Sequence, residues 1–200
     1  MESVVLTDRE VALAFAAGER RFAWSHGRGW DPGLGPARTC KDARHHIHGI
    51  MCEIGAGRIL GIEWKENLGR FWERDLAGLI EVRSGREWHH GLPINPTRRS
   101  GELVPDWVPY VLAIRLYWSR RVSLPGWSTL GDARRRYPLR ISLNADPNYY
   151  VPQKALFRLD DLRDWYACES RLRALASKHP SPGAPCAPTA PQRRGGPVQG

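Results

Sequence analysis

Apolar positions change period several times along the chain, and each period implies an element. Thr7 and Glu10 have capping-box spacing, and Val11, Leu13, Ala14, Phe15 and Ala17 follow, so a first helix is expected to end near Gly18 or a few residues later. From Ser25 to Pro36 the chain is dense in Gly and Pro and reads as an irregular loop. Ile47, Ile50, Met51 and Ile54 recur at helical spacing and predict a second helix from about Asp42 to Leu60, stopped by Gly61. At about 100° per residue, Glu53 falls beside that apolar stripe, on the arc carrying Gly49, Ala56 and Gly57, whose small side chains would let the helix approach a sheet.

Residues 70–85 read as two short strands joined around Ala77-Gly78. In the second, Ile80 and Val82 point to one face while Leu79, Glu81 and Arg83 point to the other. Trp88 to Ile94 is expected as a third strand, followed by a loop from Asn95 to Trp107. Tyr110 to Trp118 is almost continuously apolar, the pattern of a central strand covered on both faces, with Val122 to Trp127 as its partner. Gly131 to Tyr137 reads as a short basic helix and Tyr149 to Val151 as a brief strand. Asp160 to Lys178 reads as a closing helix packing through Leu162, Trp165, Tyr166, Leu172 and Leu175. Residues 179–200 are Pro/Gly-rich with few large apolar groups and are expected to stay disordered. The pattern as a whole is α/β (α+β), a mixed sheet flanked by helices in one domain over residues 1–178.

Composition narrows the environment. No apolar run approaches the roughly 20 residues that span a bilayer, and Met1 to Leu6 lacks the features of a secretory signal, so a cytoplasmic, intracellular protein with no membrane partner is expected. Cys40, Cys52, Cys168 and Cys186 are scattered without a CxxC pair, which argues against a disulfide framework. Lys plus Arg number 30 against 21 Asp plus Glu, a net charge of +9 carried mostly by Arg. That balance favours a polyanionic partner, because guanidinium grips phosphate bidentately.

The chemistry-bearing residues are acidic and closely spaced. Cleavage of a phosphodiester by metal-activated water needs rigid oxygen ligands for a hard divalent ion and a cation to offset charge in the transition state. Asp75 ends one expected strand, Glu81 lies on the next, and Arg83 shares its face. Singly, these residues also read as a cross-strand ion pair and a turn residue, and Glu53 as the partner of Arg58 or Lys65.

In order, the set resembles the PD-(D/E)XK, restriction-endonuclease-like nuclease superfamily. Glu53 on a helix, Asp75, and the triplet Glu81-Val82-Arg83 fill the places of the helix Glu, the Asp and the Glu-x-Lys. GIMCEIGAGRILG looks like the Gly-x-x-x-Glu-x-x-x-x-x-x-Leu-Gly helix of small phage and bacterial members, DLAGLIEVRS like their Asp-Val-Gly-Gly-Ile-Glu-Val-Arg stretch, and YYVPQKALFRL like their Val-Pro-Gln-x-x-Leu segment. The likeness covers about residues 44–160. It implies a Mg²⁺- or Mn²⁺-dependent nuclease acting on nucleic acid, DNA before RNA, with Glu53, Asp75 and Glu81 as metal ligands, Arg83 as the fourth catalytic residue and a homodimer allowed. Arg86, Arg98, Arg99, Arg134, Arg135 and Arg136 are the expected backbone contacts. Two positions depart from the pattern: Arg74 stands where Pro is usual, and Arg83 where Lys is. An arginine stays protonated, so Arg83 can stabilise charge but cannot accept a proton. That departure leaves a second reading, a DNA-binding protein that keeps the fold without cutting. A third is a zinc-stabilised module, since His45, His48 and Cys52 share a helical face, with His46 and Cys40 nearby. His89-His90 reads as an edge-strand surface pair in preference to a ligand or base near Glu81.

Overall fold

The computed structural model describes residues 1–27, 43–68, 74–97, 101–116, 118–142 and 145–178. After a short strand β1 (Glu2–Val5), Thr7 and Glu10 close the expected capping box: Thr7 N donates to Glu10 Oε2 at 2.7 Å and Glu10 N to Thr7 Oγ1 at 3.3 Å. Helix α1 (Asp8–Gly27) does not stop near Gly18. Gly18 is interior because α1 crosses α2 (Arg44–Leu60) there: a Cβ on Gly18 would lie 2.4 Å from the Ile47 side chain. Helix α2 ends at Gly61 in the left-handed conformation (φ 71°), as its sequence predicts.

The close approach of α2 to the sheet is made by Gly55, where a Cβ would sit 2.5 Å from Val122 Cβ. Gly49 and Gly57 of the expected arc do not make it: Gly49 has nothing within 4 Å of a Cβ position, and Gly57 abuts the Ile62 carbonyl of the chain leaving the helix, while Ala56 is buried as expected.

That sheet is mixed, in the order β1-β5-β4-β2. Strand β2 (Glu81–Gly85) is an edge and runs parallel to β4 (Pro109–Ile114), which pairs antiparallel with β5 (Arg121–Thr129), itself antiparallel to β1. Every residue of β4 is buried, as a strand covered on both faces requires. Helix α2 packs across one face of the sheet. On the other, Tyr110, Leu112 and Ile114 join a core with Leu92, Ile94, Val108, Leu130 and Val151. The expected strand to Trp118 is too long: β4 ends at Ile114, and Trp118 sits in the connection to β5 at φ 62°, 91% exposed. The second sheet is antiparallel, β3 (Leu92–Ile94), β7 (Ala145–Val151) and β6 (Leu139–Ser142), in the order β3-β7-β6. Helix α3 (Leu130–Arg136) links the sheets, its N-cap Thr129 accepting from Asp132 N at 3.1 Å. Helix α4 spans Leu159–Lys178. Its expected apolar face is only partly realised, with Leu162 buried and Leu172 57% exposed. Two compact units divide within α4, Met1–Arg163 and Asp164–Gly200, and both sheets and the candidate site belong to the first. Among the described residues no helix is long and apolar enough to cross a membrane.

Candidate active site

The chain reaches the edge strand through a tight reversal. Leu76 and Ile80 exchange backbone hydrogen bonds at 3.1 Å, and between them Ala77 (φ 50°) and Gly78 (φ 68°) take the left-handed conformation. This is the expected join at Ala77-Gly78; most of the strand expected before it, residues 70–73, lies outside the described residues. The reversal brings Asp75 back against β2, where its Oδ2 accepts from Val82 N at 2.8 Å. The alternation expected of β2 holds. Ile80 and Val82 are buried, while Glu81 and Arg83 share the other face and pair at 3.5 Å with side chains 25% and 32% exposed. Arg83 also lies 5.5 Å from the ring centre of Tyr110, and its Nε is buried without a hydrogen-bond partner.

Electrostatics ties these residues into one neighbourhood. Burial pushes the Asp75 carboxyl well above its ordinary value, and the charges of Glu81 and Glu53 add to the shift, against the pull of the Val82 N–H and Arg21. Arg83 stays a firm cation because Glu81, Tyr110 and Asp75 outweigh its burial. Burial drives the Tyr110 hydroxyl up to about 12.

Glu53 is 5% exposed on α2, and its partner is neither Arg58 nor Lys65. Arg21 of α1 grips it with two nitrogens at 2.8 and 3.3 Å, and Trp64 Nε1 donates to it at 2.9 Å. Arg58 instead pairs with Glu10 at 3.0 Å and Lys65 with Glu63 at 3.5 Å. Arg21 is a site residue that the sequence reading missed. It is brought in by the α1–α2 crossing, and no local pattern marks it.

The three carboxylates share a neighbourhood without closing on one point. Among the described residues, the one set of three ligand-type side chains with atoms all within 4.8 Å of one another is Glu87, His89 and His90. His89 pairs there with Glu87 at 2.8 Å, while His90 Nδ1 accepts from Arg86 N at 3.1 Å and Glu87 N at 3.2 Å. A neutral imidazole has one lone-pair nitrogen, and in His90 the backbone occupies it, so this trio is a poor ligand set.

The zinc constellation does not assemble either. His45 contacts Arg86 at 2.9 Å, Cys52 Sγ lies 3.9 Å from His48 Nε2, and Cys40 falls outside the described residues. Burial drives the Cys52 thiol up to about 12 and, with Arg115 and Arg86, drives His48 down to about 3. A protonated thiol is a weak zinc ligand.

Of the expected phosphate contacts, Arg134 pairs with Asp106 at 3.0 Å, and Arg135 and Arg136 pair with Asp132 at 3.6 and 3.0 Å, so α3 is less cationic than its sequence implies. Arg98 and Arg99 lie outside the described residues. No protein-family model, characterised protein or solved structure matches this chain.

Proposed function

We propose that the chain is a Mg²⁺- or Mn²⁺-dependent nuclease with a restriction-endonuclease-like, PD-(D/E)XK-type core, hydrolysing phosphodiester bonds of nucleic acid, DNA before RNA. The observation that carries this reading is the placement of Asp75 near Glu81 and Arg83: burial and the Glu81 charge raise the cost of charging Asp75 at a sheet edge, with a cation on the face of Glu81. Oxygen ligands that repel one another fit a hard divalent ion, which relieves the repulsion when it binds. Asp75 and Glu81 would hold it, and Glu53 would add a third carboxylate by releasing Arg21. The ion supplies a polarised phosphate oxygen and a bound water of lowered pKa. Arg83 offsets charge on the phosphate, its buried Nε offering one unused donor. The Val82 N–H orients Asp75, and the Trp64 Nε1–H holds Glu53 when Arg21 lets go.

The test uses purified protein with Mg²⁺ or Mn²⁺ and single-stranded, duplex and branched DNA together with RNA. Cutting that is lost in Glu81→Gln with substrate binding retained is expected. A correctly folded protein that leaves every substrate intact overturns the reading.

A second reading has its own support. Arg21 already neutralises Glu53, and Arg83 already engages Glu81, so the site is close to charge-balanced without metal. A DNA-binding protein that keeps this fold without cutting would bind equally in excess chelator and be unchanged by Glu81→Gln.

A further inference from the structure

Two guanidiniums and two aromatic rings run beside the carboxylates. Arg74, the residue before Asp75, places its guanidinium 4.9 Å from the ring centre of Trp107 and donates to the Gly78 carbonyl at 3.3 Å. Trp107 remains 46% exposed on the connection between β3 and β4. The Arg74 charge also reaches the Tyr110 hydroxyl, and the Tyr110 ring carries Arg83, which pairs with Glu81. Trp107 and Arg74 therefore set an exposed ring beside a cation, next to the buried Tyr110 ring that carries Arg83 and, through it, Glu81. An exposed indole offers a stacking face to any base, and a neighbouring guanidinium suits the phosphate that follows. Bases of a duplex are already stacked on one another, so an exposed ring beside a cation fits a strand whose bases are free.

We infer that Trp107 and Arg74 form the entry of a single-stranded nucleic-acid track leading to Asp75 and Glu81, with Trp107 stacking on a base and Arg74 holding the phosphate beside it. The inference takes its direction from the nuclease reading, and its test does not depend on cutting.

The probes are a fluorescein-labelled oligo(dT) strand, an oligo(rU) strand and a labelled DNA hairpin duplex, followed by fluorescence anisotropy in excess EDTA. Wild-type protein is expected to bind oligo(dT) more tightly than the hairpin. Trp107→Ala is expected to weaken the oligo(dT) complex about tenfold or more, and Trp107→Phe to stay within about threefold, since a phenyl ring still stacks. Arg74→Ala is expected to lower the slope of log affinity against log salt by about one phosphate contact. Hairpin affinity should not change in any of the three variants, and far-UV circular dichroism confirms their fold. The oligo(rU) arm identifies the sugar: tighter binding than oligo(dT) assigns the track to RNA and overturns the choice of DNA. The track itself is overturned if Trp107→Ala binds oligo(dT) like wild type, if it loses hairpin affinity equally, or if folded wild-type protein binds none of the probes. Separate incubation in Mn²⁺ keeps the two claims apart. Binding without cutting removes the nuclease reading and leaves the track, whereas cutting with an indifferent Trp107→Ala does the reverse.

Discussion

At Asp75, desolvation and two neighbouring carboxylates act in one direction, so the metal-free fold carries a cost at this residue. An acid whose folded pKa is raised favours the folded state below the ordinary carboxylate range and loses that contribution as pH rises through the folded value. Asp75→Asn is therefore expected to raise the melting temperature of metal-free protein at neutral pH while removing Mn²⁺-dependent cutting; an unchanged or lower melting temperature would contradict the assignment. Glu81→Gln should cut the rate by at least about a hundredfold, read as initial rate on a labelled substrate. His48 has the opposite sign. Its folded pKa of about 3 lies below the ordinary value of 6.5, so the unfolded chain takes up the proton first. Stability should then fall as pH drops from about 6.5 toward 3, by up to about 1.4 kcal/mol per pH unit, and His48→Asn should flatten that slope in urea titrations. Asp75, Glu81 and Arg83 were legible in the sequence because strand alternation and a turn at Ala77-Gly78 place them locally. The Arg21 grip on Glu53 was not, because it joins residues 32 apart on two helices and depends on how those helices cross.

Among the elements, α2 governs where Glu53 stands relative to β2. Its contact with the sheet is made at Gly55 against Val122, and its contact with α1 at Gly18 against Ile47. Gly55→Ala should cost about 1 to 3 kcal/mol of unfolding free energy through overpacking, measured as a lower urea midpoint, and Gly49→Ala should cost nothing, since a Cβ there meets open space. Equal effects at the two positions would mean that the helix docks otherwise. Periodicity located α2, β4, β5 and α3 because their burial is continuous or one-sided. It missed β1 and β6, whose largely exposed residues carry little apolar pattern and become strands by pairing with β5 and β7. It also ran β4 on through Trp118, since hydrophobicity alone cannot tell an exposed tryptophan in a connection from a buried one in a strand.

For the whole molecule, the net charge of +9 sets a long-range attraction for polyanions, while local pairing decides which arginines act. Those of α3 are engaged by Asp106 and Asp132, which counting residues could not reveal. If Asp75 and Glu81 hold a divalent ion, the folded state binds it and the unfolded chain does not, so Mn²⁺ at a hundredfold excess over Kd should stabilise the protein by about 2.7 kcal/mol. That gain should appear as a higher melting temperature in wild type and be absent in Glu81→Gln. The most direct measurement is anomalous diffraction from a crystal soaked in Mn²⁺. A peak at the carboxylates of Asp75 and Glu81 is expected. A difference map with no peak there, in crystals whose Asp75 and Glu81 are open to solvent, would contradict it.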